Sequence, residues 1–307
     1  MRVAAVQLSS TNDTSSNLEA ADRHVRAAAA DGAQLVVLPE KWTLIGSATK
    51  LLDGAETLDG PAVSWARTIA AELAIELVAG SITERRAGAA RLSNTSLHIA
   101  RDGTVKAAYR KLHMFDVEID GRVYRESAVQ EPGSEIVLSE VERPAGEPPV
   151  PLGMAICYDL RFPELFRILA LRGAQLVTLP SAFTLPTTRA HWEILIRARA
   201  IENAMFLIAA NQVGAHGDGY ESGGRSMIVD PWGDVLAAAH DQVGHIVADV
   251  DFERVHQVRA KLPSLANRRE DAYRWPSSSR LAATPPSGKP LPGTPPSGTP
   301  LPSEAVS

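Results

Sequence analysis

Cysteine is nearly absent: Cys157 is the one thiol in 307 residues, so no disulfide can close within the chain. Long apolar runs are absent as well. None approaches the roughly 20 residues that a membrane-spanning helix needs, and the opening MRVAAVQLSS has too few apolar residues for a secretory signal. Charge of one sign is never gathered into blocks. The 31 basic and 36 acidic side chains are interspersed and nearly cancel, to −5, which leaves neither a nucleic-acid footprint nor a polybasic membrane patch. Cys and His at metal-ligand spacing are missing, and so is an HExxH helix, so no metal site is expected. These absences point to a cytoplasmic globular protein whose partner is a small molecule, not a nucleic acid or a membrane.

What is present is apolar patterning. Hydrophobic residues make up 45% of the chain, enough for a large core. Short branched runs read as buried strands: VAAVQL at 3–8, AQLVVL at 33–38, the stretch 75–83, and AQLVTL at 174–179. Helical patterns separate them, at 17–30 with Ser15 or Ser16 as cap, at 60–74 opened by Pro61, at 163–171 and at 190–203. This alternation predicts an α/β fold. Segments 94–100 and 104–109 read as a hairpin, residues 113–132 as one long loop, residues 135–141 as an edge strand, and Trp232 as a packing residue in the turn at 231–233. One unit occurs twice, DGAQLVVLPE at 31–40 and RGAQLVTLPS at 172–181. Two like halves imply two sheets packed face to face with helices outside. After Trp275 the composition turns to Pro, Ser, Gly and Thr, so one folded domain is expected over 1–275 and a disordered tail over 276–307.

Three chemistry-bearing residues fall at or just beyond strand ends: Glu40 after the first copy of the repeat, Lys111 after the second hairpin arm, and Cys157 between an apolar run and a helical pattern. In sheets of this kind the carboxyl ends of strands line the ligand crevice, so distant residues can converge there. A thiol close to a helix N-terminus is also placed where the dipole favours the thiolate. Each residue alone has a plainer reading. Glu40 fits a solvated turn, Lys111 a surface pair with Arg110, and Cys157 a small apolar core residue.

The motifs around these residues resemble those of the nitrilase superfamily of carbon-nitrogen hydrolases, over nearly all of residues 2–275. LPEKW at 38–42 is similar to that family's glutamate motif, YRKLHMFD at 109–116 to its lysine motif, and CYDLRFPEL at 157–165 to its cysteine motif. The resemblance implies a four-layer αββα sandwich with an internal pseudo-two-fold duplication, and at least a homodimer. It implies Glu40 as general base, Cys157 as nucleophile, Lys111 as oxyanion donor together with the Tyr158 N–H, and Glu126 of YRES at 124–127 as the group holding Lys111. No metal or organic cofactor is needed for that chemistry.

PSAF at 180–183, AHWE at 190–193, RARAIE at 197–202 and DPWG at 230–233 resemble the amidase branch containing omega-amidase and deaminated-glutathione amidase, with DVEIDG at 116–121 leaning to the latter. The function implied is hydrolysis of the linear amide bond of a small carboxylate-bearing substrate through a thioester, releasing ammonia. An N-carbamoyl hydrolase and an inactive scaffold are the alternatives. Arg161 is the candidate for the substrate carboxylate, because a guanidinium fork matches it in two hydrogen bonds; its alternative is an ion pair with Asp159 or Glu164. Tyr158 and Thr184 complete the substrate-binding candidates. Thr188 and Arg189 stand where the branch has other residues, which is expected to restrict the backbone and add charge at the pocket mouth.

Overall fold

The computed structural model describes residues 1–119, 121–143 and 146–273. The tail expected at 276–307, and its boundary at 275, lie outside the described residues. Beyond Ala266, which closes the main unit, the described residues form one 3-10 turn, Glu270–Ala272.

Two large sheets organise the main unit. The first runs Gly244–Asp249, Arg2–Gln7, Leu35–Val37, Glu76–Val78, Ser93–Ile99, Ile82–Glu84, with Val105–Arg110 also paired to Ser93–Ile99. Its three inner strands are parallel, with Val36 beside both Ala4 and Leu77. The second runs Val235–Ala238, Met227–Val229, Phe206–Asn211, Leu176–Ser181, Val150–Met154, Leu138–Val141. Again three neighbours are parallel, with Thr178 between Met154 and Ile208. The repeated sequence unit thus supplies the middle strand of each parallel trio.

Alternation along the strands builds the layers. Val3, Ala5, Leu35, Val37, Leu176, Phe206 and Ile208 point into a core between the sheets. Their neighbours Ala4, Val6 and Val36 face a second core under the helices Thr14–Ala30 and Pro61–Leu73, and Val177, Leu207 and Ala209 face a third under Pro163–Leu171 and Glu193–Asn203. Strands buried on both faces carry apolar residues on both, which is why these runs show no regular polar alternation. The order helix, sheet, sheet, helix is the expected αββα sandwich.

Several local expectations are corrected. The first helix is capped by Asp13, whose carboxylate accepts from the N–H groups of Ser15 and Ser16, because an Asx cap reaches two residues on. The run 75–83 is two strands, Glu76–Val78 and Ile82–Glu84, broken at Gly80 with φ +48°. Residues 113–132 are not one loop: Asp116–Ile119 and Arg122–Arg125 pair antiparallel, and Glu126–Ala128 makes a 3-10 turn. The last long helix begins as α at Glu193, after a wide turn over Thr188–Trp192. Trp232 is 38% exposed, with the Lys261 ammonium 4.8 Å from its ring, so it packs under cations at the surface.

Candidate active site

The strands that carry the two copies of the repeat end at the same place. The Glu40 N–H donates to the Ser181 carbonyl at 3.3 Å, and the Ala182 N–H donates back to Glu40 Oε2 at 2.8 Å. Glu40 is thereby fixed by the opposite half of the molecule. Its other oxygen, Oε1, accepts from Asn94 Nδ2 at 2.7 Å and Lys111 Nζ at 3.1 Å. Gly80 makes the turn beneath tight: a Cβ there would run into the Pro39 carbonyl oxygen.

Lys111 follows the strand Val105–Arg110 and is held by its own backbone, whose N–H donates to the Asn94 carbonyl at 2.9 Å. Its ammonium, 2% exposed, sits between Glu40 and Glu126 Oε2, the latter at 2.8 Å. Glu126 also accepts from the Phe115 N–H at 2.8 Å and from Lys41 Nζ at 3.0 Å. Burial alone would lower the pKa of Lys111, but Glu126 and then Glu40 override it and hold it well above the usual lysine value. Burial would likewise raise Glu126; Lys111 and Lys41 override it and hold its carboxyl well below the ordinary range. Two acids and two ammonium groups alternate in one buried cluster, each charge compensated.

Cys157 opens a 3-10 turn, Cys157–Arg161, with φ +46°, a left-handed value that a non-glycine residue adopts only when its surroundings enforce it. Asp159 enforces it. Fully buried, that carboxylate accepts from the Ile156 N–H at 2.9 Å, the Tyr109 hydroxyl at 2.7 Å, and the His113 N–H and ring Nδ1 at 3.2 and 2.7 Å. The cysteine turn is thus tied to the segment carrying Lys111. Burial pushes the Cys157 thiol well up, and the negative charge of Glu40 adds to the rise against the opposing pull of Lys111 and the Ala182 N–H. The helix-dipole expectation of a thiolate is therefore corrected. The helix Pro163–Leu171 begins six residues on, and a buried thiol beside a carboxylate stays protonated.

These groups open on a cavity of about 170 Å³, lined among others by Glu40, Lys111, Glu126, Cys157, Tyr158 and Thr184. Arg161 is not on its wall. Its guanidinium lies 5.3 Å from the Phe183 ring and 3.4 Å from His191 Nδ1, paired with neither Asp159 nor Glu164, because the turn directs it back toward the aromatic layer. Thr188 adopts ordinary helical φ of −61° and donates its hydroxyl to the Phe183 carbonyl at 3.0 Å, filling the space left by Gly223; Arg189 is exposed and off the wall. Sequence reasoning passed over Asn94, Lys41, Ala182 and Asp159. Lys41, Ala182 and Asp159 fall inside the quoted motifs, which hinted at them, but the role of Asp159 as the brace of the cysteine turn, and Asn94 altogether, become visible only through their hydrogen bonds.

Residues 2–260 match the family model described as carbon-nitrogen hydrolase. The chain is 40% identical over 274 residues to the nitrilase and fragile histidine triad fusion protein NitFhit of Caenorhabditis elegans, covering 88% of this chain and 61% of that longer protein. The crystal structure of NitFhit superposes with a TM-score of 0.80 at 39% identity, over 89% of this chain and 66% of that one. The chain is 38% identical to the deaminated glutathione amidase of Synechocystis sp., over 86% of this chain and 97% of that enzyme. Against the omega-amidase of Homo sapiens the identity is 36%, over 89% and 96% of the two chains.

Proposed function

The chain belongs to the carbon-nitrogen hydrolase family, and from that premise we propose that it is an amidase cleaving the linear amide of a small carboxylate-bearing substrate, with Cys157 as nucleophile. The observation that carries this reading is the buried cluster in which Glu40 holds Lys111 on the same cavity wall as Cys157, close enough for its charge to act on the thiol.

As Sγ attacks the amide carbon, Glu40 takes the thiol proton; no preformed thiolate is required. The carbonyl oxygen becomes an oxyanion held by the Lys111 ammonium and the Tyr158 N–H, the charge of Lys111 being kept by Glu126. Glu40 then passes the proton to the departing nitrogen, the C–N bond breaks, and a thioester remains. Water attacks it, again losing its proton to Glu40, and the C–S bond breaks to restore the thiol and release the acid. For a primary amide the amine released is ammonia. For deaminated glutathione, a secondary amide, it is the cysteinylglycine fragment. The proposal includes a cytoplasmic homodimer, whose assembly sedimentation velocity tests.

The direct experiment mixes the protein with 2-oxoglutaramate or deaminated glutathione, measures the amine released, and looks for a thioester by intact mass spectrometry. Cys157→Ala is expected to abolish both signals. Turnover retained in that variant removes Cys157 as the nucleophile.

A further inference from the structure

The proposed amidase reading leaves open what the cavity recognises besides the scissile bond. Of the four basic side chains on its wall, Lys111 and Lys41 are neutralised by Glu40 and Glu126. Arg125 and His216 are left.

His216 is 3% exposed, and its ring is fixed in one tautomer. Nδ1 lies 2.7 Å from the Ser10 carbonyl oxygen, which can only accept, so Nδ1 carries the proton. Burial lowers its pKa, against weaker opposite influences of the Ser10 carbonyl and then Glu221, so the ring stays neutral and Nε2 presents a lone pair. That nitrogen is buried and has no hydrogen-bond partner among the described residues. The ring cannot swing away to find one. Ser10 is itself bonded to Gln212, whose amide donates to the Glu40 carbonyl at 3.0 Å, so the imidazole is braced on the same network as Glu40. A buried acceptor held without a donor is a standing cost that an incoming N–H or O–H removes.

Arg125 is the last residue of the hairpin strand Arg122–Arg125, directly before the turn Glu126–Ala128. Its side chain is exposed, as is that of Glu221 on the same wall, and its guanidinium has no ion-pair or hydrogen-bond partner among the described residues. It is placed to take the carboxylate that Arg161, facing away, does not reach.

We propose that Arg125 and His216 read the substrate together: Arg125 a carboxylate, and His216 an N–H or O–H donor separate from it. The preferred substrate is then an acidic secondary amide with a further donor, of the deaminated-glutathione kind, rather than a plain 2-oxo-acid omega-amide. This rests on the amidase reading, and the test separates the two.

Values of kcat/KM are compared for deaminated glutathione, 2-oxoglutaramate and neutral propionamide, in the wild-type chain and in folded variants checked by circular dichroism. The wild type is expected to favour deaminated glutathione. His216→Phe lowers kcat/KM for it by about tenfold to a hundredfold and shrinks its advantage over 2-oxoglutaramate; His216→Gln, which keeps an acceptor, restores part of the loss. Arg125→Gln raises KM for both acids by roughly tenfold relative to propionamide, and Arg125→Lys less so. Variants that keep the wild-type ratios, or a wild type preferring 2-oxoglutaramate, overturn this inference alone. A wild type that hydrolyses none of the three overturns the amidase reading and this inference with it.

Discussion

Replacing Glu40 by Gln separates the two things that carboxylate does to Cys157. The substitution keeps shape but turns one acceptor oxygen into a donor. Directed at Ala182 the new amide meets an N–H, and directed the other way it meets Asn94 Nδ2 and the Lys111 ammonium. The first orientation loses one hydrogen bond instead of two, so the variant folds with a penalty of about 1–3 kcal/mol. Without a proton acceptor, kcat is expected to fall about 10²–10⁴-fold, or roughly 3–5 kcal/mol at 1.36 per tenfold. The thiol responds in the opposite sense. Glu40 contributes to its raised pKa while Lys111 works to lower it, so removing the negative partner lowers the pKa and exposes more thiolate at neutral pH. Iodoacetamide labelling of Cys157, followed by mass spectrometry from pH 6 to 9, is therefore expected to be faster in Glu40→Gln than in the wild type, with its midpoint moved to lower pH. Labelling that slows in step with turnover, or kcat within tenfold of wild type, refutes this account of the site.

Three further outcomes follow from the geometry. Glu126→Gln leaves Lys111 and Lys41 short of a buried counter-charge and is expected to cost about 3–5 kcal/mol at pH 7 by urea denaturation. Because the folded-state pKa of Glu126 lies below its ordinary value, its contribution is present above about pH 4.5 and is lost as pH falls; the gap between wild type and variant therefore narrows at pH 3. Asp159→Asn can satisfy His113 with its oxygen and turn its NH₂ to the Tyr109 hydroxyl, but it orphans the Ile156 N–H. A loss of about 1–3 kcal/mol and a lower kcat are expected, read by thermal unfolding and amine release, and an unchanged kcat would dissociate Asp159 from the cysteine turn. Gly80→Ala forces a Cβ toward the Pro39 carbonyl and the Trp42 ring at positive φ, so both Tm and kcat are expected to drop, since Glu40 is the next residue after Pro39.

Much of this protein could be read along the chain. Runs such as AQLVVL and AQLVTL carry apolar residues on both faces of the strand because both faces are buried, and that density, together with the repeated Leu-Pro ending, gave the two-sheet sandwich and placed Glu40 at a strand end. The residue types of Glu40, Lys111 and Cys157 were legible in the same way, since each follows a strand. Short-range geometry was less legible. The hairpin inside residues 113–132 has little apolar content, and its pairing Asp116 to Arg125 depends on a partner strand.

What only the tertiary structure decided is how these groups act on one another. No local rule predicts that Ala182 and Asn94, from different halves and sheets, both donate to Glu40, or that Asp159 binds Tyr109 and His113 rather than Arg161. The state of the thiol was decided there too: a turn near a helix suggested a thiolate, whereas burial beside Glu40 keeps it protonated. Sequence specifies which side chains can carry charge, because that is a property of the residue. Whether the charge is kept, paired or left free depends on burial and on neighbours within hydrogen-bond reach, and those distances exist only once the two halves have closed on each other.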